Sequence, residues 1–303
     1  MSKGAKVWIA LWVVYIVWGS TYLAIELAGE TMPGFFGAGV RFTIAGLLML
    51  GFIAWRRGLG TLRLRRAELA SAAIVGLLLP GANSILFVTE QKVPIGLTSL
   101  IIAAIPLWVL LLRQLARERP DRLSTIGLVI GFAGIVLLVH PGTDTGPLSY
   151  LLITVAASFM WALGSFLSPR IPVPRDALVA TGYEMLCGGV VLLVIGIFAY
   201  SPSELDPANW SSRSIVGLVY LITFGSLLGY SAYVWLLANA PIAKVSTYAY
   251  VNPVIALLLG WWLLDETITP AIIAGSAIVV VAVALVTSAR VAAPAPAVAD
   301  EPG

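Results

Sequence analysis

The sequence predicts an all-α polytopic membrane protein, with ten transmembrane helices arranged as two inverted five-helix repeats. Three observations predict this fold class. Hydrophobic residues make up 59% of the 303-residue chain and charged residues 11%, about half the charge that covers an ordinary soluble surface. The charges are clustered, so long windows carry none. The chain also matches itself about its midpoint at a nearly constant offset.

The charge-poor windows fall at about 7–27, 34–55, 67–88, 95–112, 122–139, 148–167, 177–199, 214–237, 244–264 and 270–288. Each is close to the roughly 20 residues that a helix needs to cross the hydrocarbon core. Lipid offers the backbone no hydrogen-bond partner, so each run is expected to be helical. The runs are too long for barrel strands and lack strict alternation. The first follows Lys3 and Lys6 and has no small-residue cleavage site, so it reads as a retained span rather than a signal peptide. Connections are short and rich in Pro, Gly, Ser or charge, leaving no room for an inserted soluble domain. Residues 291–303 are Ala/Pro-rich with two acids and read as a disordered cytoplasmic tail.

Fifteen of the 18 basic residues lie on the side that holds the N-terminus, among them Arg56, Arg57, Arg63, Arg117 and Arg175. Lys92 and Arg213 lie on the other side and Arg41 lies inside a span. The excess of positive charge places both termini in the cytoplasm of a bacterial inner membrane.

A shift of 143 residues lays Trp18 on Trp161, Gly39 on Gly182 and Gly46 on Gly189. A shift of 147 lays Pro94 on Pro241 and Pro106 on Pro253, and a shift of 148 lays Glu118 on Glu266. The first repeat is then 1–143 and the second 144–290. Five spans per repeat is an odd number, so the second repeat enters the membrane from the opposite face. Halves related in this way have two equivalent packings, one open to each side, as alternating access requires.

Composition also excludes chemistry. Cys187 and His140 are each the single residue of their type, which rules out an internal disulfide and a Cys/His metal site. No cofactor is called for. The chain has no G-x-x-x-x-G-K-[ST], H-E-x-x-H or G-x-S-x-G pattern. The net charge of +3 reflects topology rather than a surface for nucleic acid. The expected partners are the lipid bilayer and a small solute. Gly127, Gly131 and Gly134 allow close packing of one helix on another, within the chain or in a homodimer.

Candidate pathway residues follow from polarity inside spans. Arg41 and Glu184 are the ionisable groups well inside, where such groups rarely face lipid. They match under the 143-residue shift and sit at about 10 Å depth from opposite faces. They read either as substrate or proton-coupling groups or as a buried structural pair. Tyr15, Trp18 and Tyr22 form one stripe on the first helix, and Ser158, Trp161 and Ser165 form its counterpart on the sixth. These stripes read as cavity walls or as packing stripes. Asn83, Thr98, Tyr248 and Asn252 add polar groups near the helix starts and near Pro80, Pro106 and Pro253, which are expected to kink or break their helices, and the eighth helix adds Tyr230. Broken backbone inside a membrane is tolerated where it lines a cavity.

Trp18-Gly19-Ser20, the Pro94…Pro106 and Pro241…Pro253 pairs, and Gly260-Trp261-Trp262-Leu263-Leu264-Asp265-Glu266 followed by Gly275 resemble the EamA branch of the drug/metabolite transporter superfamily. The resemblance covers about residues 7–288. It implies a ten-helix carrier of small organic solutes, similar to bacterial exporters of amino acids and other metabolites, and it alone supplies the outward direction. One embedded cation, one embedded anion and many aromatics favour a small zwitterion as cargo. An exporter of amphipathic drugs or cations, a facilitator or channel, and an intramembrane enzyme are the other readings.

Overall fold

The computed structural model describes residues 2–118, 122–138 and 146–288. His140 and the tail at 291–303 lie outside the described residues. Every regular element among them is helical: α1 (Lys3–Gly29), α2 (Gly34–Arg57), α3 (Arg66–Thr89), α4 (Ile95–Ala103), α5 (Ile105–Leu115), α6 (Arg122–Leu138), α7 (Leu148–Leu167), α8 (Ala177–Ala199), α9 (Pro202–Leu205), α10 (Ser212–Tyr220), α11 (Gly229–Asn239), α12 (Ile242–Val245), α13 (Tyr248–Leu263) and α14 (Pro270–Ser288). Short 3₁₀ turns link some of them. Residues Leu221–Leu228 wind as a π-helix that joins α10 to α11.

Eight helical stretches are long and apolar enough to cross a membrane, and α6 and α13 are shorter apolar helices of 17 and 16 residues. These two occupy the fifth and ninth expected windows. At 1.5 Å per residue α13 is about 24 Å long, less than a hydrocarbon core of about 30 Å. Its window is shortened because α12 ends at Val245 and the chain turns through Ser246 and Thr247 before α13 begins.

The fourth window is broken in two. Pro106 has no N–H to continue the ladder and its ring crowds the preceding turn. The chain therefore leaves the helix at Ala104 (φ −75°, ψ −3°) and restarts as α5 with Pro106 in its first turn. Pro80 and Pro253 lie inside α3 and α13, which continue past them.

In lipid, apolar surface gives little drive for one helix to meet another, so close backbone approach has to supply it. The α2–α8 crossing is built this way. A Cβ on Gly46 would lie 2.7 Å from the backbone nitrogen of Leu186, and a Cβ on Gly189 would overlap the backbone nitrogen of Thr43. Large apolar side chains turn outward: Trp12 is 54% exposed and Phe198 is 87% exposed, as a lipid-facing surface allows. The larger buried clusters of the interior lie around Ile25, Phe42, Phe87 and Leu221 and around Leu100, Leu107, Ile135 and Val279, with smaller ones around Leu11 and Leu236 and around Leu50 and Val179.

Polar ties mark the two ends of the bundle. At the end where α1 begins, Arg57 pairs with Asp176 at 2.5 Å, Glu118 pairs with Arg113 and Arg170, and Lys244 lies over the Trp8 ring. At the end where α1 finishes, Arg213 pairs with Glu30 at 3.1 Å and Gln91 donates to Glu26. There Glu266 also accepts from the N–H groups of Ile95 and Gly96, at 2.6 and 3.3 Å.

Candidate functional site

A cavity with about 100 Å³ of free volume lies between the two halves of the chain. Trp18, Thr21, Tyr22 and Ile25 of α1 line it, with Arg41 of α2 and Ala82, Asn83 and Leu86 of α3. Ser99, Ile102, Ala103, Ile105 and Pro106 come from the α4–α5 break, Trp161 from α7, Tyr230 from α11, and Tyr248, Ala249, Asn252 and Pro253 from α13. Both Pro106 and Pro253 therefore line it, so the broken backbone at Pro106 lies against the cavity rather than lipid.

Arg41 is the charged residue of this lining. It is 3% exposed. Its Nη1 donates to Asn83 Oδ1 at 2.6 Å and its Nε to Ser226 Oγ at 3.1 Å, and its Cζ lies 4.6 Å from the centre of the Phe42 ring. Among the described residues no carboxylate forms an ion pair with it. A guanidinium has five N–H donors, so these two bonds leave donors for a guest.

Opposite in character is an aromatic cluster. The Trp18 ring centre lies 5.2 Å from that of Tyr230, 5.1 Å from Tyr233 and 5.3 Å from Tyr248. Trp18 Nε1 donates to the carbonyl of Gly225 at 3.2 Å. The π-helical winding places both of these anchors, presenting Gly225 to Trp18 and Ser226 to Arg41. Such widened turns recur at functional sites, and no feature of the sequence signals this one.

The cavity thus gathers Trp18, Tyr22, Asn83, Trp161, Tyr230, Tyr248, Asn252, Arg41, Pro106 and Pro253. The Asn252 amide, with its nitrogen turned toward them, reaches the carbonyl oxygens of Tyr15 and Tyr248 at 3.2 Å each. Tyr15 itself bonds Thr247 through its hydroxyl. Ser158 accepts from Trp108 Nε1 at 2.9 Å and Ser165 donates to the carbonyl of Trp161 at 3.0 Å, both outside the lining. Thr98 is fully buried with no partner for its hydroxyl among the described residues. Glu184 is half-buried on α8 within electrostatic reach of Tyr230 and Cys187, and Arg41 does not pair with it. Thr21 and Ser226 are polar residues of this region that the sequence patterns did not single out.

The EamA-like transporter family matches this chain twice, over residues 6–140 and again over 148–288. The chain belongs to the EamA-like transporter family. It is 38% identical to the uncharacterized inner membrane transporter YedA of Escherichia coli K12, over 94% of this chain and 92% of that one. It is 28% identical to a chloroplastic WAT1-related protein of Arabidopsis thaliana, covering 92% of this chain and 69% of the other. The uncharacterized transporter YoaV of Bacillus subtilis is 26% identical over 90% of this chain and 94% of its own. A crystal structure of a protein 20% identical in sequence superposes with a TM-score of 0.64, covering 95% of this chain and 99% of that one. Its likeness shows the fold. The EamA-like chain described here is a polytopic membrane protein of a transporter family.

Proposed function

We propose that the protein is a reversible secondary carrier of small amino acids or related carboxylated metabolites, working by alternating access around this cavity. The observation that carries the reading is Arg41, a buried guanidinium on the cavity wall with no carboxylate partner among the described residues. A buried unpaired charge is costly, and a carboxylate guest removes that cost through charge-assisted hydrogen bonds. An ammonium group on the same guest finds the faces of Trp18, Tyr230 and Tyr248, where cation–π attraction needs no fixed anion.

Two inverted repeats, 1–143 and 144–290, supply the motion in this reading. Exchanging the halves maps the α3–α7 contact onto α1–α11, and α1–α13 onto α7 with α4 and α5. The α2–α8, α6–α14 and α4–α13 contacts map onto themselves. This pattern, with the double family match, supports a two-fold axis in the membrane plane. The excess of basic residues on the N-terminal side supports cytoplasmic termini.

The aromatic cluster favours a second reading, a carrier of amphipathic cations. Counterflow into liposomes loaded with single amino acids separates the two. Saturable uptake of a labelled amino acid, competed by other carboxylates and not by lipophilic cations, is the expected result. Uptake of cations alone would replace the first reading with the second. Conductance without saturation would replace both with a channel.

A further inference from the structure

We propose that Glu90 is a proton-binding site whose occupancy is tied to the charge inside the cavity. Glu90 directly follows α3, at the end of the bundle where α1 finishes. It is 4% exposed, and neither carboxylate oxygen has a hydrogen-bond partner among the described residues. A carboxylate stripped of water and of donors is far more costly than a carboxylic acid in the same place. It is also the group here that the hydropathy windows hide, because it falls two residues beyond the third.

The groups that act on it come from every side. Tyr22, which lines the cavity, and Glu26 belong to α1, and Glu266 lies between α13 and α14. The helix α4 carries no charge, and Lys92 is exposed. Arg41 of α2 is the cation that favours the ionised form. Burial first, then Glu26 and Glu266, holds the Glu90 carboxyl well above the ordinary carboxylate range against this pull.

The sign of the link follows. With the cavity empty, the Arg41 charge is uncompensated and draws Glu90 toward ionisation. A guest carboxylate on Arg41 cancels that field, and Glu90 takes up one proton from solvent hydronium, an O–H bond forming on the carboxyl as one breaks on hydronium, which leaves as water. Linkage is reciprocal, so protonating Glu90 tightens carboxylate binding and affinity rises as pH falls. The link to transport rests on the carboxylate reading of the cavity; the proton site does not.

The test is an infrared pH titration of the full chain in detergent without ligand, in the wild type and in Glu90→Gln. Glu90→Leu serves as a second variant of different polarity. Glu26 and Glu266 share the buried surroundings, so the expected result is a difference: one component of the protonated-carboxyl band persisting above about pH 4.3, the ordinary glutamate value, is present in the wild type and missing from both variants. A band unchanged in both would overturn the proton site. Arg41→Gln, which imitates a neutralised guanidinium, is expected to raise the midpoint of that band by about one pH unit, a tenfold gain in proton affinity. Arg41→Lys, which keeps the charge, is expected to leave it near the wild type. A midpoint that ignores Arg41→Gln would overturn the link. Saturating L-threonine is expected to shift the wild-type midpoint upward as Arg41→Gln does. If L-threonine binds and the midpoint stays, the link fails. If L-threonine does not bind, the amino-acid reading of the cavity is what fails, and the ligand-free titrations decide Glu90.

Discussion

At the residue scale the geometry around Arg41 is more specific than a positive charge. Two of its donors are held by Asn83 and Ser226 on different helices, which fixes the plane of the guanidinium before any guest arrives. A lysine keeps the charge but loses the planar fork and has only three donors. Arg41→Lys is therefore expected to fold and to weaken amino-acid counterflow by about tenfold or more, since a charged hydrogen bond contributes about 1.5–3 kcal/mol. Counterflow that matches the wild type would show that bulk charge is enough. Much of the lining was legible from single residues: Trp18, Tyr22 and Trp161 stand out as polar aromatics deep in apolar windows, and Asn83 and Asn252 as amides beside proline. Tyr15, Ser158 and Ser165 share those stripes yet bond within or between neighbouring helices, because a stripe fixes a helix face and not a depth. Ser226 was not legible. Its place depends on π-helical winding, and the sequence Leu221–Leu228 carries no marker for the extra residue in the turn.

At the element scale the repeat and the packing have one cause. The glycines that match under the 143-residue shift, Gly39 with Gly182 and Gly46 with Gly189, are those along which α2 and α8 cross. A methyl group on Gly189 would displace the backbone of Thr43, and neither helix can yield without disturbing Arg41, two residues earlier on α2. Overpacking of this kind costs about 1–3 kcal/mol. Gly189→Ala is expected to lower the thermal unfolding midpoint in detergent. Gly51→Ala on the same α2, where a Cβ meets no other atom within 4 Å, is expected to hold or raise it, because alanine is the better helix former by about 1 kcal/mol. Equal midpoints for the two variants would show that the crossing has slack. The helices themselves were legible because hydropathy and length decide them. The break at Ala104 was marked by Pro106, whereas the shortening of α13 was not, since Lys244-Val245-Ser246-Thr247 holds no proline or glycine to mark a stop.

At the scale of the whole molecule the two short helices decide the topology. If α6 and α13 did not cross the bilayer, every segment between them would change sides, placing Arg175 outside and Arg213 inside. The ties at the bundle ends oppose that arrangement. Asp176 pairs with Arg57, and Arg170 shares Glu118 with Arg113, so the α7–α8 connection sits at the end where α1 begins. Arg213 pairs with Glu30 at the other end. Gly146, which follows the α6 segment, packs against the carbonyl of Lys92, while Glu118 precedes it at the opposite end. For α13, Lys244 lies over Trp8 at one end and Glu266 holds Ile95 at the other. Each short helix therefore joins opposite ends of the bundle, and in the proposed ten-span topology local thinning of the bilayer would accommodate a span of about 24 Å at modest cost. Single cysteines placed at Arg175 and Arg213, in a chain with Cys187→Ser, test this directly. In intact cells a membrane-impermeant maleimide is expected to label Arg213→Cys and to reach Arg175→Cys only after the membrane is opened. The reverse pattern would leave eight crossings, put the two halves in a different relation, and remove the proposed two-fold axis and with it the proposed alternating access.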